Sequence, residues 1–255
     1  MRSLDRTAIN APADWQDKVN DKLPDPEAYA SKAQEFEQLP INGQQRRNSF
    51  TKYAPEELPK RRRKPYFPTV WSSDRRVKSA LATWSHSKCA YCEDKINARR
   101  SQQVEHFKPK SLFPSLAYDW DNYFLACNGC NGTKSDKWPE SGKYVRPDQD
   151  QPETLFAFDE QGGMKARETS SDAQRTVDDF GLDRPGLREA RKVAIRQPLN
   201  TMRTVLAQRL PDNMKRRLAQ RIVTEAEHPE VSYSQAKGQN LRRLWHEHFP
   251  NVSLF

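Results

Sequence analysis

"CNGCNGTKSDKWP", residues 127–139, sets Cys127 and Cys130 two residues apart and follows them with Asn131 and Lys134. A C-x-x-C turn presents two thiolates to adjacent corners of a Zn2+ tetrahedron, and "CAYC" at 89–92 supplies Cys89 and Cys92 for the other two. These are the four cysteines of the 255-residue chain. The opening "MRSLDRTAINAPADW" has no apolar core of signal-peptide length, and no run approaches the ~20 apolar residues that cross a bilayer. The chain therefore reads as cytoplasmic, where thiols stay reduced and paired C-x-x-C spacing points to metal rather than to bridges. Four ordinary cysteines would not explain the doubled spacing, and a redox C-x-x-C would not need two copies. A zinc staple needs only the sulfurs, which leaves Asn131 and Lys134 to be explained.

Between the cysteine pairs lie "VEHFKPKS", with Glu105 and His106, and "YDWDNYFLAC", with Asn122. Taken singly, His106 is a structural histidine, Asn122 a turn residue and Asn131 a helix cap. Their order inside one metal-stapled segment suits phosphodiester hydrolysis. Activating water near neutral pH calls for a group such as histidine, with an unperturbed pKa of about 6.5. Charge on the phosphorane and leaving oxygen calls for a cation such as Mg2+, which takes oxygen ligands of the kind Glu105 and Asn131 carry. Lys134, one helical turn beyond Asn131, would hold a phosphate from the same helix face. Lys108 and Lys110 either touch phosphate or stay solvated, and Trp120 and Trp138 read as core packing.

The set "CAYCE", "VEHFKPKS" and "YDWDNYFLACNGCNGTKSDKWP" resembles the HNH endonuclease family, and within it the PtuB-like branch of Septu and retron anti-phage systems. The resemblance is strong over residues 88–139 and weak over the C-terminal third. It implies an α+β fold: a ββα-metal core stapled by a four-cysteine zinc site, with mostly helical N- and C-terminal extensions. It also implies His106 as general base, Asn122 as the residue holding the histidine loop, and Asn131 with Glu105 as ligands of Mg2+ or Mn2+. DNA is the implied target in preference to RNA, and a PtuA-like ATPase the implied partner. A retron reverse transcriptase and its noncoding RNA would join only through such a complex. No G-x-x-x-x-G-K-[ST] motif is present in this sequence.

Outward from this core, composition sets the rest. The formal charge is +9 with a pI near 9.4, which suits an acidic partner such as nucleic acid. At 35% apolar and 30% charged residues the core is lean, and 18 prolines against 9 glycines suggest many extended connections. Residues 1–72 read as an irregular arm with short helices, one of them opening after Pro24 and Pro26. "KRRRK" at 60–64 reads as a solvated loop or a phosphate clamp. Residues 73–146 form the expected nuclease core, entered by a helix carrying Val77, Leu81 and Trp84 at i, i+4 and i+7. Residues 147–255 read as a hairpin around "GGMK" at 162–165, then basic helices carrying Val193, Leu218 and Ile222 among their apolar positions. Pro185, Pro198, Pro211 and Pro229 separate these helices, which are a candidate partner interface. His246 and His248 read as surface residues near a helix end. Two rivals stand beside the nuclease: a non-catalytic zinc ribbon that only binds nucleic acid or a partner, and an RNA-cleaving toxin using the same residues.

Overall fold

The computed structural model describes residues 1–42, 44–97, 101–167 and 170–255. They gather into two units, one of Asp5–Ser85 with Ala98–Tyr144, the other of Met1–Leu4, His86–Asn97 and Val145–Phe255. The first unit runs α1 (Trp15–Asn20), α2 (Pro26–Glu37), α3 (Gln44–Arg47), α4 (Phe50–Tyr53), β1 (Lys60–Arg61), β2 (Lys64–Pro65), α5 (Val70–Ser73) and α6 (Arg75–Trp84). It ends with β3 (Gln102–His106), β4 (Tyr123–Cys127) and α7 (Asn128–Lys134).

Local chemistry explains where these helices start. Asp25 caps α2 by accepting the Ala28 N–H at 2.9 Å, and Pro26 sits at the first position, where its missing N–H costs nothing. Asp74 caps α6 through the Arg76 N–H, and its carboxylate also meets Arg76 at 2.7 Å and Lys18 at 2.8 Å. Hydrogen bonding from Arg76 holds that carboxyl below its usual range. α6 buries Val77, Leu81 and Trp84, the face its spacing predicts.

The N-terminal arm packs on the segment that leads into β4. Trp15 Nε1 donates to Tyr118 O at 2.9 Å, and its ring meets Tyr123 edge-on at 5.8 Å. Tyr29 donates to Pro114 O at 2.8 Å and packs on Tyr118 and Phe50. Burying these large rings against the segment before β4 merges most of the arm into the first unit.

The second unit contains α8 (Pro152–Leu155), β5 (Phe156–Phe158), β6 (Met164–Ala166), α9 (Ser171–Asp179), α10 (Pro185–Ala207), α11 (Asp212–Ala226) and α12 (Ser234–His248). β5 and β6 pair antiparallel with Phe158 opposite Met164, which closes the hairpin expected around residues 162–165. Arg191 of α10, 1% exposed, donates to Gly162 O at 2.6 Å and also to Leu182 O.

Two expectations for this unit fail. Pro198 does not end a helix but lies inside α10, whose buried face of Leu187, Ile195, Leu199, Met202 and Leu206 runs past it. Packing along that face outweighs the ~3 kcal/mol that a proline removes from a helix interior. On α11 the buried residues are Ala219, Val223 and Ala226 rather than Leu218 and Ile222, and Leu218 is 38% exposed. Small residues let α11 approach α10 and α12 closely, so apolar size misled the choice of face.

Gly162 has φ +78°, and a Cβ there would fall 2.0 Å from Arg188 O. Gly162→Ala is expected to destabilise this unit by at least about 2 kcal/mol, through left-handed strain and the backbone clash. Urea unfolding followed by circular dichroism checks this, with no loss of midpoint as the contrary outcome.

Candidate active site

β3 and β4 pair antiparallel with Glu105 opposite Phe124, His106 opposite Tyr123 and Gln102 opposite Cys127, and α7 follows β4 directly. Two strands and a helix thus carry His106, Glu105, Asn131 and Lys134, while Asn122 sits one residue before β4.

His106 is 6% exposed and lies edge-on to Trp71 at 4.6 Å and to Tyr123 at 5.0 Å. Its Nε2 is 2.9 Å from Ala117 O, which also accepts the Tyr123 hydroxyl at 2.7 Å. A carbonyl can only accept, so Nε2 carries the ring proton and Nδ1 keeps its lone pair. Burial, seconded by the charge of Lys110, pushes the imidazole down to about 3, so the ring is neutral at pH 7.

Asn122 is 2% exposed and uses both ends of its amide on the loop after β3. Its Oδ1 accepts the Lys108 N–H at 2.8 Å, and its Nδ2 donates to Lys108 O and Leu116 O, both at 3.0 Å. That loop carries the Ala117 carbonyl to His106.

The expected phosphate contact of Lys134 is not what the structure holds. The side chain is wholly buried, and its ammonium donates to His106 O at 2.9 Å and lies 2.6 Å from Glu105 Oε1. From the last position of α7 it turns inward to reach β3. Glu105 is 3% exposed, and burial raises its carboxyl despite the neighbouring cation. The ammonium and the carboxylate form a buried ion pair, each offsetting the cost of burying the other. Glu105 and His106 thus turn their side chains to different neighbours, as adjacent strand residues do. Asn131 lies at the fourth position of α7 and is half-buried.

The Sγ atoms of Cys89, Cys92, Cys127 and Cys130 lie within 4.8 Å of one another, and no disulfide joins them. Tetrahedral bonds of about 2.3 Å would set such sulfurs roughly 3.8 Å apart, so the quartet can hold a metal ion. The Cys130 N–H points at Cys127 Sγ at 3.4 Å, which caps α7 with sulfur. Among the described residues, no other set of histidines, cysteines and carboxylates gathers in this way, and His246 and His248 stay exposed at the end of α12.

The family model for the HNH endonuclease matches residues 89–137, from the first cysteine to just past α7. The match spans both cysteine pairs, β3, β4 and α7. Three curated proteins resemble the chain over and around it. The Septu protein PtuB of Bacillus mycoides is 28% identical over 180 residues, 55% of this chain and 61% of that protein. The Septu protein PtuB of Bacillus thuringiensis is 34% identical over 85 residues, 33% of each. A Vibrio cholerae protein named as a candidate HNH endonuclease of a retron is 32% identical over 130 residues, 47% of this chain and 63% of its own. The chain spans less than two thirds of the length of each of these relatives.

Several groups around the matched segment escape a reading of motifs. Trp71 precedes it in sequence yet packs on the His106 ring, and also lies 5.5 Å beneath the Lys110 ammonium. Burial lowers Lys110, which feels the charges of Asp136 and Glu105. Ala117 acts through its carbonyl, which no side-chain pattern reports. No helix among the described residues is long and apolar enough to cross a membrane.

Lys134→Met would leave Glu105 buried without its cation. It is expected to cost about 3–5 kcal/mol, with much of the loss recovered in the Lys134→Met/Glu105→Gln double variant. Denaturant unfolding of the four proteins measures the coupling, and simple additivity would refute the pairing.

Proposed function

We propose that the chain is a metal-dependent HNH endonuclease that hydrolyses phosphodiester bonds of nucleic acid, DNA in preference to RNA. The carrying observation is the His106 imidazole, neutral and fixed by the Ala117 carbonyl so that Nδ1 is the basic nitrogen. Nδ1 takes a proton from a water whose oxygen forms the new bond to phosphorus. The P–O3′ bond breaks, the 3′-oxygen recovers a proton from solvent, and 5′-phosphate and 3′-hydroxyl ends result. An imidazole held near 3 is a weak base, and an anionic phosphate beside it raises its basicity as the reaction begins.

Glu105 and Asn131 are the proposed ligands of Mg2+ or Mn2+. A buried carboxylate and the amide oxygen on α7 are oxygen donors of the kind a hard cation takes. Such an ion supplies positive charge to the developing oxyanions. Asn122 keeps the loop that orients His106 and takes no part in bond breaking. With Lys134 engaged inside, Lys110 is a nearby cation for the phosphate. Four thiolates suit Zn2+, which serves as the structural ion.

The relatives named PtuB and the retron-linked protein support a role in anti-phage defence, together with a PtuA-like ATPase. A retron reverse transcriptase and its RNA would associate through that complex.

Purified chain, with and without the ATPase, is expected to cleave supercoiled plasmid in Mg2+ or Mn2+ and to stop in chelator. His106→Ala is expected to lower the rate at least about 100-fold with the fold retained by circular dichroism. Full cleavage by that variant refutes the base assignment. Cleavage of RNA alone selects the toxin, and binding without cleavage of either polymer selects the non-catalytic module. Elemental analysis is expected to find one tightly held zinc per chain, lost in Cys127→Ser/Cys130→Ser; retained zinc in that variant would place the ion elsewhere.

A further inference from the structure

The proposed nuclease does not account for the run Lys60-Arg61-Arg62-Arg63-Lys64. It folds into a miniature hairpin, with Lys60 opposite Pro65, Arg61 opposite Lys64 and the Tyr66 N–H donating to Pro59 O at 3.1 Å. Arg62 and Arg63 form the two-residue turn with φ of +50° and +68°. All five cationic residues are exposed, and among the described residues none of their side chains has an ion pair or hydrogen bond.

Two features separate this hairpin from an ordinary solvated loop. A two-residue turn with both central residues left-handed is the place for Asn-Gly, and an arginine there carries steric strain of roughly 1 kcal/mol or more. The sequence keeps arginine at both positions, so strain and mutual repulsion are tolerated together. Secondly, no apolar side chain lies within the run. A protein partner would need an anchor that can be desolvated, whereas a polyphosphate needs only the charges.

The hairpin also lies within reach of the catalytic segment. Trp71 is eight residue steps beyond Arg63, at most about 28 Å, and the Trp71 ring lies 4.6 Å from the His106 ring. A duplex rising 3.4 Å per base pair covers that distance in about eight pairs. A two-stranded ribbon of this width also fits a major groove.

We propose that the Lys60–Pro65 hairpin is a nucleic-acid docking element, with Arg62 and Arg63 contacting backbone phosphates of the strand or duplex cut at His106. The proposal rests on the nuclease reading for its substrate, and it assigns the hairpin to binding and not to chemistry.

The turn permits a test in which folding is not the casualty. Arg62→Asn/Arg63→Gly removes two charges and relaxes the backbone, so its melting temperature should hold or rise. Its affinity for a labelled 30-base-pair duplex in Ca2+ at 0.1 M salt is expected to fall on the order of tens of fold. The slope of log affinity against log salt should flatten by about 2. Arg62→Lys/Arg63→Lys keeps the charge and should keep the slope. In cleavage assays the Asn-Gly variant should raise KM and leave kcat near wild type. An unchanged slope and KM would overturn the proposal. So would unchanged duplex binding together with lost capture of an acidic partner protein, which would make the hairpin a protein contact. If the wild type binds but never cleaves, the nuclease reading fails, and the salt slope alone still decides the hairpin.

Discussion

The ammonium of Lys134 is the point on which the rest of the segment from β3 to α7 hangs. It comes from the last residue of α7 and is spent on two groups of β3, the His106 carbonyl and the Glu105 carboxylate. A lysine with no exposed surface is expensive to bury, and only paired partners make it tolerable. Those partners fix the seating of α7 across the strands. Asn131, one turn earlier on the same helix, is therefore placed by an interaction in which it takes no part. Cys130, its neighbour, is placed in the same way.

A second constraint acts through backbone. The Ala117 carbonyl meets both the Tyr123 hydroxyl and His106 Nε2, and Asn122 ties down the loop bearing it at Lys108 and Leu116. The imidazole is thus oriented by a carbonyl that asparagine holds still. Trp71 and Tyr123 both pack edge-on with the ring, so the histidine has little rotational freedom. The orientation of His106 is imposed by groups with no acid–base role of their own.

Some of this was legible in the sequence. Paired C-x-x-C spacing foretold a clustered cysteine quartet, because thiolates at that spacing share a tight turn. The i, i+4, i+7 pattern of Val77, Leu81 and Trp84 foretold the buried face of α6, because a helix repeats every 3.6 residues. What failed did so for physical reasons. Lys134 looked like a phosphate ligand because helical spacing reports the face of a residue but not the direction its long side chain takes. Pro198 looked like a terminator because local propensity knows nothing of the apolar face running past it. Leu218 looked buried because size was weighed above the close approach that Ala219 allows. Trp15 and Tyr29 find carbonyls 103 and 85 positions away, which no local pattern encodes.

α7 brings two different kinds of donor close together. Cys130 offers a soft thiolate, and Asn131, the next residue, offers a hard amide oxygen about 100° further around the helix. Ligand softness discriminates between cations more sharply than affinity does: thiolates favour zinc, and oxygen donors favour magnesium or manganese. In the proposed reading, adjacent residues can then serve two ions without exchanging them. The closed sulfur quartet has no coordination position left for substrate, whereas Glu105 and Asn131 together leave most of an oxygen-liganded ion's positions free. Structural and catalytic duties would be kept apart by donor chemistry, on a helix whose position the buried lysine sets.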